Sequence, residues 1–349
     1  MMMARAEAGN QAGLDPLAVH AYLARHIPDL GPLSVRLIAG GRSNPTYLIG
    51  DADRAWVLRR PPHGLVLETA HDMNREFRAM SALGSTGVPV PRTVLLCEDP
   101  AVIGAPFYLM EHLSGRTVGS PEDAATLSPA QRHGLAEAML DTLAALHTID
   151  PAEVGLADFG RPDGYLQRQL RRWQRQWDSA HIVDRPQVRS LIRRLEEAVP
   201  ATQRTGIVHG DFKIDNLMVA PDDPTRVLGL LDWEMSTLGD TFADVGLMLS
   251  FWDEAGRDFN PLTRGITALP GFPTAAEMLG GYADRLGLDD LRAIDWYVSL
   301  ADLKIAVIFE QIHVRHAAGQ TVGEGFDGMG DMVEPLLTRA LDRLGGATR

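Results

Sequence analysis

The sequence predicts an α+β protein of two lobes, in which a small antiparallel β lobe with one helix precedes a larger, mainly helical lobe. Short segments of β-type composition, separated by glycine or aspartate turns, dominate up to about residue 111. Beyond that point most segments have apolar residues at the 3.6-residue spacing of helices. The length of 349 residues suffices for about two domains or for one domain of two lobes. We therefore expect a disordered N-terminus over 1–12, a first lobe over 13–111 and a second lobe over 112–349.

The first lobe is predicted to begin with a short helix, which Asp15 and Pro16 open and which ends near His26. The pattern then predicts five strands, in the segments SVRLIAGG, PTYLIG, RAWVLRR, TVLLC and FYLME. Between the third and the fourth strand, apolar residues at helical spacing from Met73 to Leu83 predict the helix of the β lobe. Gly87, with Pro89 and Pro91 beyond it, is expected to end this helix.

The second lobe follows a polar, glycine-containing connector, EHLSGRTVGSPED. Helices are predicted in five segments, PAQRHGLAEAMLDTLAALHTID, GYLQRQLRRWQRQWDSA, QVRSLIRRLEEAVP, TAAEMLGGYADRL and the long LDDLRAIDWYVSLADLKIAVIFEQIHVRH. Three short β segments, IVHG, NLMVA and VLGLLDW, interrupt these helices. The sequence has no internal repeat of about 20–50 residues, which excludes solenoids and propellers.

The composition favours a cytoplasmic protein. Lys and Arg number 33 against 46 Asp and Glu, which gives a formal net charge of −13. Such an acidic surface is expected to repel nucleic acid and anionic bilayers, although a local basic patch could still bind an anionic ligand. The single cysteine, Cys97, cannot form an internal disulfide, and no apolar run is long enough for a signal peptide or a membrane span. We therefore expect neither a nucleic-acid nor a membrane partner, and the oligomeric state stays open.

The most informative motif is HGDFKIDN, residues 209–216, which is followed after a predicted hairpin by Asp232. Asp211 and Asn216 stand five residues apart across a loop, so the fold can direct their side chains and that of Asp232 to one locus. Phosphoryl transfer needs such a set. One carboxylate accepts the proton of a hydroxyl, while an amide oxygen and a second carboxylate hold Mg²⁺ at the phosphates. Lys213 can stabilise the transferred phosphoryl group electrostatically.

This motif and Asp232 resemble the catalytic loop and the metal-binding aspartate of the aminoglycoside phosphotransferase and choline kinase-like family, which has a protein-kinase-like fold. The resemblance covers nearly the whole chain after about residue 30. It implies that Asp211 is the catalytic base and that Asn216 and Asp232 bind Mg²⁺. Protein kinases carry a glycine shortly after the metal-binding aspartate, in the motif DFG, whereas this chain has Asp232, Trp233 and Glu234 in succession. This difference favours a small hydroxylated molecule over a protein as the acceptor.

The resemblance also implies a site for nucleotide phosphates in the first lobe. The loop between the first two strands contains Gly41, Ser43 and Asn44, whose backbone N–H groups and small side chains could cover the phosphates of ATP. Arg59 occupies the position of the strand lysine that holds these phosphates, and Glu76 occupies that of the helix glutamate that pairs with it. An arginine keeps the charge but has a broader, forked head, so this is the main departure from the family pattern.

The end of the last strand of the first lobe resembles a hinge that binds the nucleotide base. The residues there are Met110, Glu111, His112 and Leu113. The resemblance implies that the carbonyl of Glu111 and the N–H of Leu113 bind the base. We expect ATP together with Mg²⁺, and GTP is the alternative nucleotide.

Further motifs resemble one branch of the family, the kinase-like domain fused to, or encoded near, some acyl-CoA dehydrogenases. These motifs are GGRSN at 40–44, RRPP at 59–62, RRW at 171–173 and DWEMSTLGD at 232–240. The resemblance implies that the acceptor carries a hydroxylated acyl group, as a hydroxyacyl-CoA does.

A row of arginines marks one face of the predicted helix near residue 170. The arginines of this face are Arg168, Arg171, Arg172 and Arg175. The face can be a solvated cationic surface, or it can receive an anionic acceptor such as the phosphates of a CoA thioester.

Two groups of residues near the motif have simpler structural interpretations. His209 is expected to donate hydrogen bonds within the loop rather than to transfer a proton. Asp240 and Asp244 lie near the start of the next predicted helix, TFADVGLML. They are expected to cap that helix and to anchor the catalytic loop rather than to bind metal.

Two rival functions stay open. Asp295, Asp302 and Glu310 along the last long helix could line a pocket for a polycationic aminoglycoside, which would make the protein an antibiotic-inactivating kinase. A catalytically silent nucleotide-binding scaffold is the rival from another class, and Arg59 in place of lysine is the feature that favours it.

Overall fold

In the computed structural model, the described residues are 14–39, 44–62, 72–180, 184–256, 260, 262–289, 291, 293–319 and 328–346. Gly41 and Ser43 lie outside these ranges, as does the segment 1–12 for which disorder is predicted. The described residues form two compact units. The first comprises those up to Gly84 together with Pro91–Leu113, and the second comprises Ser85–Val90 together with those from Ser114 onward.

The first unit contains, in its described residues, a five-stranded antiparallel sheet and two helices. The strands are β1 (Ser34–Ala39), β2 (Thr46–Gly50), β3 (Ala55–Arg59), β4 (Thr93–Cys97) and β5 (Phe107–Glu111), and the helices are α1 (Pro16–Leu23) and α2 (Met73–Leu83). The strands lie in the order β1-β2-β3-β5-β4. Because β5 inserts between β3 and β4, Arg59 at the end of β3 lies opposite Tyr108 in β5.

Apolar burial explains how the two helices pack in the first unit. Val19 and Leu23 of α1 are fully buried in one cluster with Ile49 of β2 and Phe107 of β5. Helix α2 packs against β4 and β5. Its N-cap is Asp72, whose carboxylate accepts a hydrogen bond from a backbone N–H of the first turn. The buried face of α2 carries a charged residue, Glu76, which therefore requires polar partners inside the unit.

The second unit is mainly helical. Its helices are α3 (Pro121–Ala125), α4 (Pro129–Thr148), α5 (Tyr165–Ala180), α6 (Pro186–Glu197), α7 (Phe242–Ser250), α8 (Ala275–Leu286), α9 (Ile294–Ala317) and α10 (Val333–Gly346), and its strands are β6 (Thr205–Val208), β7 (Leu217–Val219), β8 (Val227–Leu230) and β9 (Thr237–Asp240). Helix α9 is buried along most of its length and packs against α5, α7 and α10. The predicted α+β fold class is thus confirmed. Among the described helices, none combines the length and the apolar character that crossing a bilayer requires.

Three elements of the second unit are missing from the sequence prediction. Helix α3 is a polar helix of five residues within the predicted connector, too short for periodicity to indicate. Strand β9 has the sequence TLGD, whose composition is typical of a turn, and it is a strand because it pairs with β6. Helix α10 contains Pro335, which argues against a helix except in the first turn, where it lies here.

Some predicted boundaries also need correction. Helix α1 ends at Leu23 rather than near His26, and α2 ends at Leu83, before Gly84, rather than at Gly87. Helix α9 begins at Ile294, later than the apolar pattern indicates. Such differences are ordinary, since the periodicity of side chains does not determine where the last backbone hydrogen bond forms.

Two small sheets position the HGDFKIDN motif within the second unit. Strand β6 pairs with β9 and β7 pairs with β8, both antiparallel. The motif connects β6 to β7, and Asp232 follows shortly after the end of β8. The backbone N–H of Leu231 donates to the carbonyl of Asn216 at 2.8 Å. This hydrogen bond joins the end of the motif to the segment that carries Asp232.

Candidate active site

Asp211, Lys213 and Asn216 lie together in one loop. The Nζ atom of Lys213 lies 2.9 Å from Oδ2 of Asp211. Asn216 donates through Nδ2 to the same carboxylate oxygen at 3.0 Å and to the backbone carbonyl of Asp211 at 2.7 Å. A 3-10 turn over Ile214–Asn216 brings Asn216 back toward Asp211. Three side chains that the sequence assigned to the catalytic site are therefore neighbours.

The carboxylate of Asp211 is influenced by two ammonium groups. Burial acts to raise its pKa, but the charges of Lys213 and Lys304 outweigh burial and hold the pKa of Asp211 well below its usual range. In turn, burial acts to lower the pKa of Lys213, but the carboxylates of Asp211 and Asp215 raise it above its usual range. Both partners are therefore ionised at neutral pH. The carboxylate can accept a hydrogen bond from a hydroxyl, and the ammonium group can face an anion.

The imidazole of His209 holds the loop together. It is fully buried, its Nε2 donates to the carbonyl of Leu231 at 3.0 Å and its Nδ1 accepts from the N–H of Asp211 at 3.2 Å. One ring nitrogen donates and the other accepts, which describes the neutral tautomer with hydrogen on Nε2. Burial also lowers the pKa of His209, although nearby carboxylates, chiefly that of Asp244, oppose this. The ring therefore has a structural role, as the sequence suggests.

Asp244 and Asp240 anchor the backbone near the motif. The carboxylate of Asp244 accepts hydrogen bonds from the N–H groups of His209 at 2.6 Å and of Gly210 at 2.8 Å. The carboxylate of Asp240 accepts from the N–H of Phe242, the first residue of α7, at 3.1 Å. Both geometries agree with capping and anchoring. Both carboxylates are used as acceptors of backbone hydrogen bonds, which favours anchoring over binding of a metal ion.

Asp232 has an unusual backbone conformation. Its φ and ψ are 68° and 66°, the left-handed region, which aspartate and asparagine enter more readily than other side chains with a Cβ. The neighbouring residues fix this conformation. Leu231 is bonded to the motif, and Trp233 is buried with its Nε1 donating to the carbonyl of Leu230 at 2.9 Å. The structure thus keeps the backbone of Asp232 next to the HGDFKIDN motif in a defined conformation.

Asn216 and Asp232 fit a magnesium ion in their chemistry. The Nδ2 atom of Asn216 is used by Asp211, so its Oδ1 is the atom that can bind a ligand. Among the described residues, no group of three or more His, Cys, Asp and Glu side chains is arranged to hold a metal ion. Mg²⁺ prefers hard oxygen ligands and commonly takes only one or two from the protein, with water and substrate phosphates supplying the rest. An amide oxygen and a carboxylate meet this requirement.

In the first unit, Arg59 and Glu76 lie side by side. Nε of Arg59 is 3.4 Å from Oε2 of Glu76. Glu76 is fully buried, and its carboxylate also accepts hydrogen bonds from Nδ2 of Asn44 and from the hydroxyl of Tyr108, each at 2.8 Å. These partners offset the cost of burying the charge and fix the carboxylate that orients Arg59. Because the side chain of Asn44 is turned toward Glu76, we expect any contact of Asn44 with phosphate to come from its backbone.

Tyr108 is a member of this group that the sequence did not indicate. It is the second residue of β5, FYLME, and a tyrosine is typical of ordinary strand composition. Its position becomes informative only once β5 is known to pair with β3, which places Tyr108 opposite Arg59.

The predicted hinge residues lie at the C-terminal end of β5. Met110 is buried and Glu111 is the last residue of the strand, and the half-buried Leu113 is the last residue of this part of the first unit. Glu111 is fixed by Arg92, whose carbonyl accepts from the backbone N–H of Glu111 and whose own N–H donates to the Glu111 carboxylate, both at 2.9 Å. A role of this segment in binding a nucleotide base stays a prediction.

The arginines of α5 differ in what they contact. The guanidinium of Arg168 donates to backbone carbonyls of the loop before α5, so it binds that loop to the helix. Arg171, Arg172 and Arg175 are exposed, and within the described part of the chain none of the three forms an ion pair. The guanidinium carbon of Arg172 lies 5.1 Å from the centroid of the Trp173 ring. The exposed cationic surface is thus smaller than the sequence predicts, because Arg168 does not belong to it.

The acidic residues of α9 are matched by arginines. Asp295 lies 3.5 Å from Arg343, Asp302 accepts from Nε of Arg339 at 3.1 Å, and Glu310 lies 3.9 Å from Arg185. Asp302 and Glu310 are also buried. Their charges are therefore balanced inside the unit, which removes the main argument for a polycation pocket along this helix.

Lys304 of α9 is a further residue at the loop that the sequence interpretation missed. It is buried, and its ammonium group donates to the backbone carbonyl of Gly210, the residue before Asp211. The apolar pattern of α9 identifies the helix as a core element and gives no reason to single out one lysine. The signal that could have indicated it is composition, because the chain contains only two lysines.

Comparisons with known sequences agree with this geometry. The profile described as the phosphotransferase enzyme family matches residues 34–297. The chain is 37% identical over 318 residues to acyl-CoA dehydrogenase family member 10 of Mus musculus and 34% identical over 351 residues to family member 11 of Gallus gallus. These alignments cover 89% and 96% of this chain but only 29% and 44% of the relatives. The chain therefore spans less than half the length of these relatives.

Solved structures share the fold. A crystal structure from Ralstonia eutropha JMP134, of a protein provisionally named an aminoglycoside phosphotransferase, is 33% identical, with a TM-score of 0.82 over 96% of this chain and 100% of that chain. A thermostable mutant of the aminoglycoside phosphotransferase APH(4)-Ia, in a ternary complex with ADP and hygromycin B, has a TM-score of 0.63 at 12% identity, over 95% and 99% of the two chains. The kinase-like fold and the resemblance to the acyl-CoA dehydrogenase-associated branch are thus confirmed. This chain belongs to the phosphotransferase enzyme family, with aminoglycoside phosphotransferases among its structural relatives.

Proposed function

We propose that this protein is an ATP-dependent phosphotransferase that moves the γ-phosphoryl group of Mg-ATP to a hydroxyl group of a small metabolite. The observation that supports this most directly is the contact between Lys213 and Asp211 at 2.9 Å, with Asn216 bonded to the same carboxylate. An ionised carboxylate, a cation and an amide oxygen in one loop are the parts that phosphoryl transfer to a hydroxyl requires. Membership of the phosphotransferase family supports the same reaction.

Asp211 would orient the acceptor hydroxyl and receive its proton. The hydroxyl oxygen forms a bond to the γ-phosphorus while the bond from that phosphorus to the β–γ bridging oxygen breaks. ADP leaves with the electron pair, and the proton passes to the carboxylate. Since the two lysines hold the pKa of Asp211 low, this carboxylate is a weak base. The proton therefore moves late, once the new P–O bond has made the hydroxyl acidic, and positioning supplies most of the rate.

Three further residues would act on the phosphates. The ammonium group of Lys213 can stabilise negative charge on the transferred group, since its three N–H donors allow it to bind a phosphate oxygen beside the carboxylates of Asp211 and Asp215. Asn216 and Asp232 would hold Mg²⁺, which neutralises charge on the phosphate oxygens when it is bound. Each residue thus has one proposed task that a single substitution can test.

In the first unit, Arg59 would hold nucleotide phosphates in place of the usual lysine. Glu76 fixes its direction, and Asn44 and Tyr108 fix Glu76 in turn. A guanidinium can bind two phosphate oxygens at once, so the substitution is compatible with nucleotide binding. This argues against a catalytically silent scaffold, because Arg59 in place of lysine is the feature that favours that function.

We further propose that the acceptor is an anionic hydroxyacyl compound, such as a hydroxyacyl-CoA. Arg171, Arg172 and Arg175 form an exposed cationic surface without ion-pair partners among the described residues. In a protein with a net charge of −13, such a surface attracts phosphate groups. The names of the curated relatives, acyl-CoA dehydrogenase family members, support an acyl compound. A polycationic aminoglycoside is less well supported, because the acids of α9 are already paired.

A mass-spectrometric assay tests the reaction and the acceptor together. The protein is incubated with Mg-ATP and a pool of hydroxyacyl-CoAs, sugars, amino alcohols and aminoglycosides, beside an Asp211→Asn variant that keeps the shape of the side chain. We expect a mass increase of one phosphate on a hydroxyacyl-CoA with the wild type only. Phosphorylated aminoglycoside would replace the proposed acceptor, and an equally active Asp211→Asn variant would contradict the mechanism. Binding of Mg-ATP without turnover of ATP in any condition would favour the scaffold.

A further inference from the structure

Lysine is almost absent from this chain, and the side chains of both lysines contact the segment 210–211. The sequence contains 31 arginines but only two lysines, Lys213 and Lys304. The first lies 2.9 Å from the carboxylate of Asp211, and the second, from α9, donates to the carbonyl of Gly210. A guanidinium presents five N–H donors in a planar fork, whereas an ammonium group is a compact charge. A buried site with one carbonyl to bind therefore suits a lysine.

The peptide group between Gly210 and Asp211 is held at both of its polar atoms. Its carbonyl oxygen accepts from Lys304, and its N–H donates to Nδ1 of His209 at 3.2 Å. On the other side of Gly210, the backbone N–H donates to Asp244 at 2.8 Å. The Cα of Asp211 follows this peptide group directly. The orientation of the peptide group therefore determines where the carboxylate of Asp211 points.

Lys304 lies in a place that would suit an apolar residue. It is only 8% exposed, it belongs to a helix whose buried residues are mostly apolar, and its ammonium lies 5.9 Å from the centroid of the Trp173 ring. Burial lowers its pKa, although Asp211 and Asp244 oppose this. A buried ammonium group is less favourable for stability than a methionine or leucine of similar size. A buried charge of this kind is typical of a functional position.

We propose that Lys304 is a positioning residue for phosphoryl transfer, whose ammonium group fixes the Gly210 carbonyl and thereby directs Asp211 toward the acceptor hydroxyl. This inference rests on the proposed function of the same loop. Lys304 acts through the backbone and lies outside the HGDFKIDN motif, in a helix that the sequence assigns to the core. Lys213 and Lys304 then have different tasks, the first at the phosphoryl group and the second at the loop backbone.

A kinetic experiment tests this role without knowledge of the natural acceptor. It measures the hydrolysis of Mg-ATP, in which water replaces the hydroxyl. Lys304→Met keeps an unbranched side chain of nearly the same length and removes the charge. We expect kcat to fall about tenfold to a hundredfold while the KM for ATP changes less than about twofold. Lys304→Arg retains a donor for the carbonyl and should recover part of the lost rate.

A matched control separates positioning from a general loosening of α9. Ser299 is buried in the same helix and donates to backbone carbonyls away from the loop, so Ser299→Ala should keep the wild-type kcat. A wild-type kcat for Lys304→Met, or an equal loss for Ser299→Ala, would overturn the proposal. If Asp211→Asn leaves hydrolysis unchanged, the proposed function itself fails. The two failures are thus distinguishable.

A second measurement reads the contact in the wild-type protein and does not depend on the folding of a variant at position 304. With ¹⁵N-labelled lysine, this chain gives only two side-chain ammonium signals, and Lys213→Met assigns them by elimination. We expect the Lys304 ammonium to exchange slowly with water and its signal to shift in Asp211→Asn. Fast exchange together with no response to Asp211→Asn would overturn the proposal.

Discussion

Asn216 donates hydrogen bonds from one Nδ2 group to both the backbone carbonyl and the Oδ2 atom of Asp211, at 2.7 and 3.0 Å. One amide therefore holds the proposed base and leaves its own oxygen, Oδ1, for a metal ion. The two tasks can be separated by substitution. Aspartate keeps an oxygen that can bind a metal ion, but it lacks the NH₂ donor of asparagine.

We expect Asn216→Asp to impair catalysis without weakening the response to Mg²⁺. The new carboxylate keeps a hard oxygen for the metal, but it loses both hydrogen bonds to Asp211 and adds a like charge beside it. The expected fall in kcat is about tenfold or more. Asn216→Ala should lower kcat and also raise the Mg²⁺ concentration needed for half-maximal activity. A wild-type kcat for Asn216→Asp would show that these two hydrogen bonds to Asp211 do not contribute to catalysis.

Substitutions of Asp232 can test its backbone conformation and its proposed role as a metal ligand separately. Its φ of 68° is a conformation that asparagine accepts and alanine resists. Asp232→Asn should therefore keep the free energy of unfolding within about 0.5 kcal/mol of the wild type, whereas Asp232→Ala should lose about 1–2 kcal/mol. Both variants remove the carboxylate and should weaken the binding of Mg-ATP. Urea unfolding and calorimetry measure the two effects, and unchanged Mg-ATP affinity in both variants would exclude Asp232 as a metal ligand.

Gly210 is expected to tolerate no side chain. Its φ is +83°, and a Cβ would lie 2.4 Å from the carbonyl oxygen of Met235. Gly155 is the matched control, since it has a similar φ of +75° but a Cβ added there would meet no atom within 4 Å. Gly155→Ala should cost about 1–2 kcal/mol of unfolding free energy, from backbone strain alone. Gly210→Ala should cost more than this, and equal losses in the two variants would show that the loop can shift.

Lys213→Met should change the pH dependence of both stability and activity. Burial acts to raise the pKa of Asp211, but the lysines lower it below the 3.8 of an unperturbed carboxyl group. A group with a lowered folded-state pKa stabilises the protein above its unfolded pKa, and this contribution disappears as the pH falls through the folded pKa. Without Lys213 the pKa of Asp211 rises. The free energy of unfolding should then decrease at pH values above about 4, and the acid limb of kcat should move to higher pH.

Lys213→Arg serves as the control for that experiment because it keeps a positive charge. Its stability should depend on pH in parallel with the wild type. If Lys213→Met also gave a parallel profile from about pH 3 to pH 7, the charge of Lys213 would have no influence on Asp211.

The parts of the site that lie close together in the sequence could be predicted, and those that depend on packing could not. Asp211, Lys213 and Asn216 belong to one motif, so their short spacing already predicts that their side chains lie close together. Lys304 reaches the same loop from α9, and only the packing of that helix brings it there. Tyr108 likewise becomes a partner of Glu76 through the pairing of β3 with β5.

The same reasoning explains the acidic residues of α9 and the missed strand. Asp295, Asp302 and Glu310 look like an acidic row in the sequence, but arginines distant in the chain balance them. Strand β9 has a turn-like sequence and forms because β6 supplies its hydrogen-bonding partner. In both cases the deciding contact is between segments far apart in the chain, which local periodicity cannot reveal.

The exposed arginines of α5 give the last prediction. If Arg171 and Arg172 bind a negatively charged acceptor, replacing both with alanine should raise the KM for that acceptor about tenfold or more while the KM for ATP stays within about twofold. Added salt should weaken acceptor binding to the wild type more than to the double variant, because the screened interaction is already lost in the latter.

Arg193→Ala is the matched control for the double variant. Arg193 is an exposed arginine of the neighbouring helix α6 that pairs with Glu197 at 3.8 Å, so its loss changes the net charge without touching α5. The KM for the acceptor should then stay at the wild-type value. An equal rise in Arg193→Ala would indicate a general charge effect, and unchanged kinetics in the double variant would assign the α5 arginines to the solvated surface.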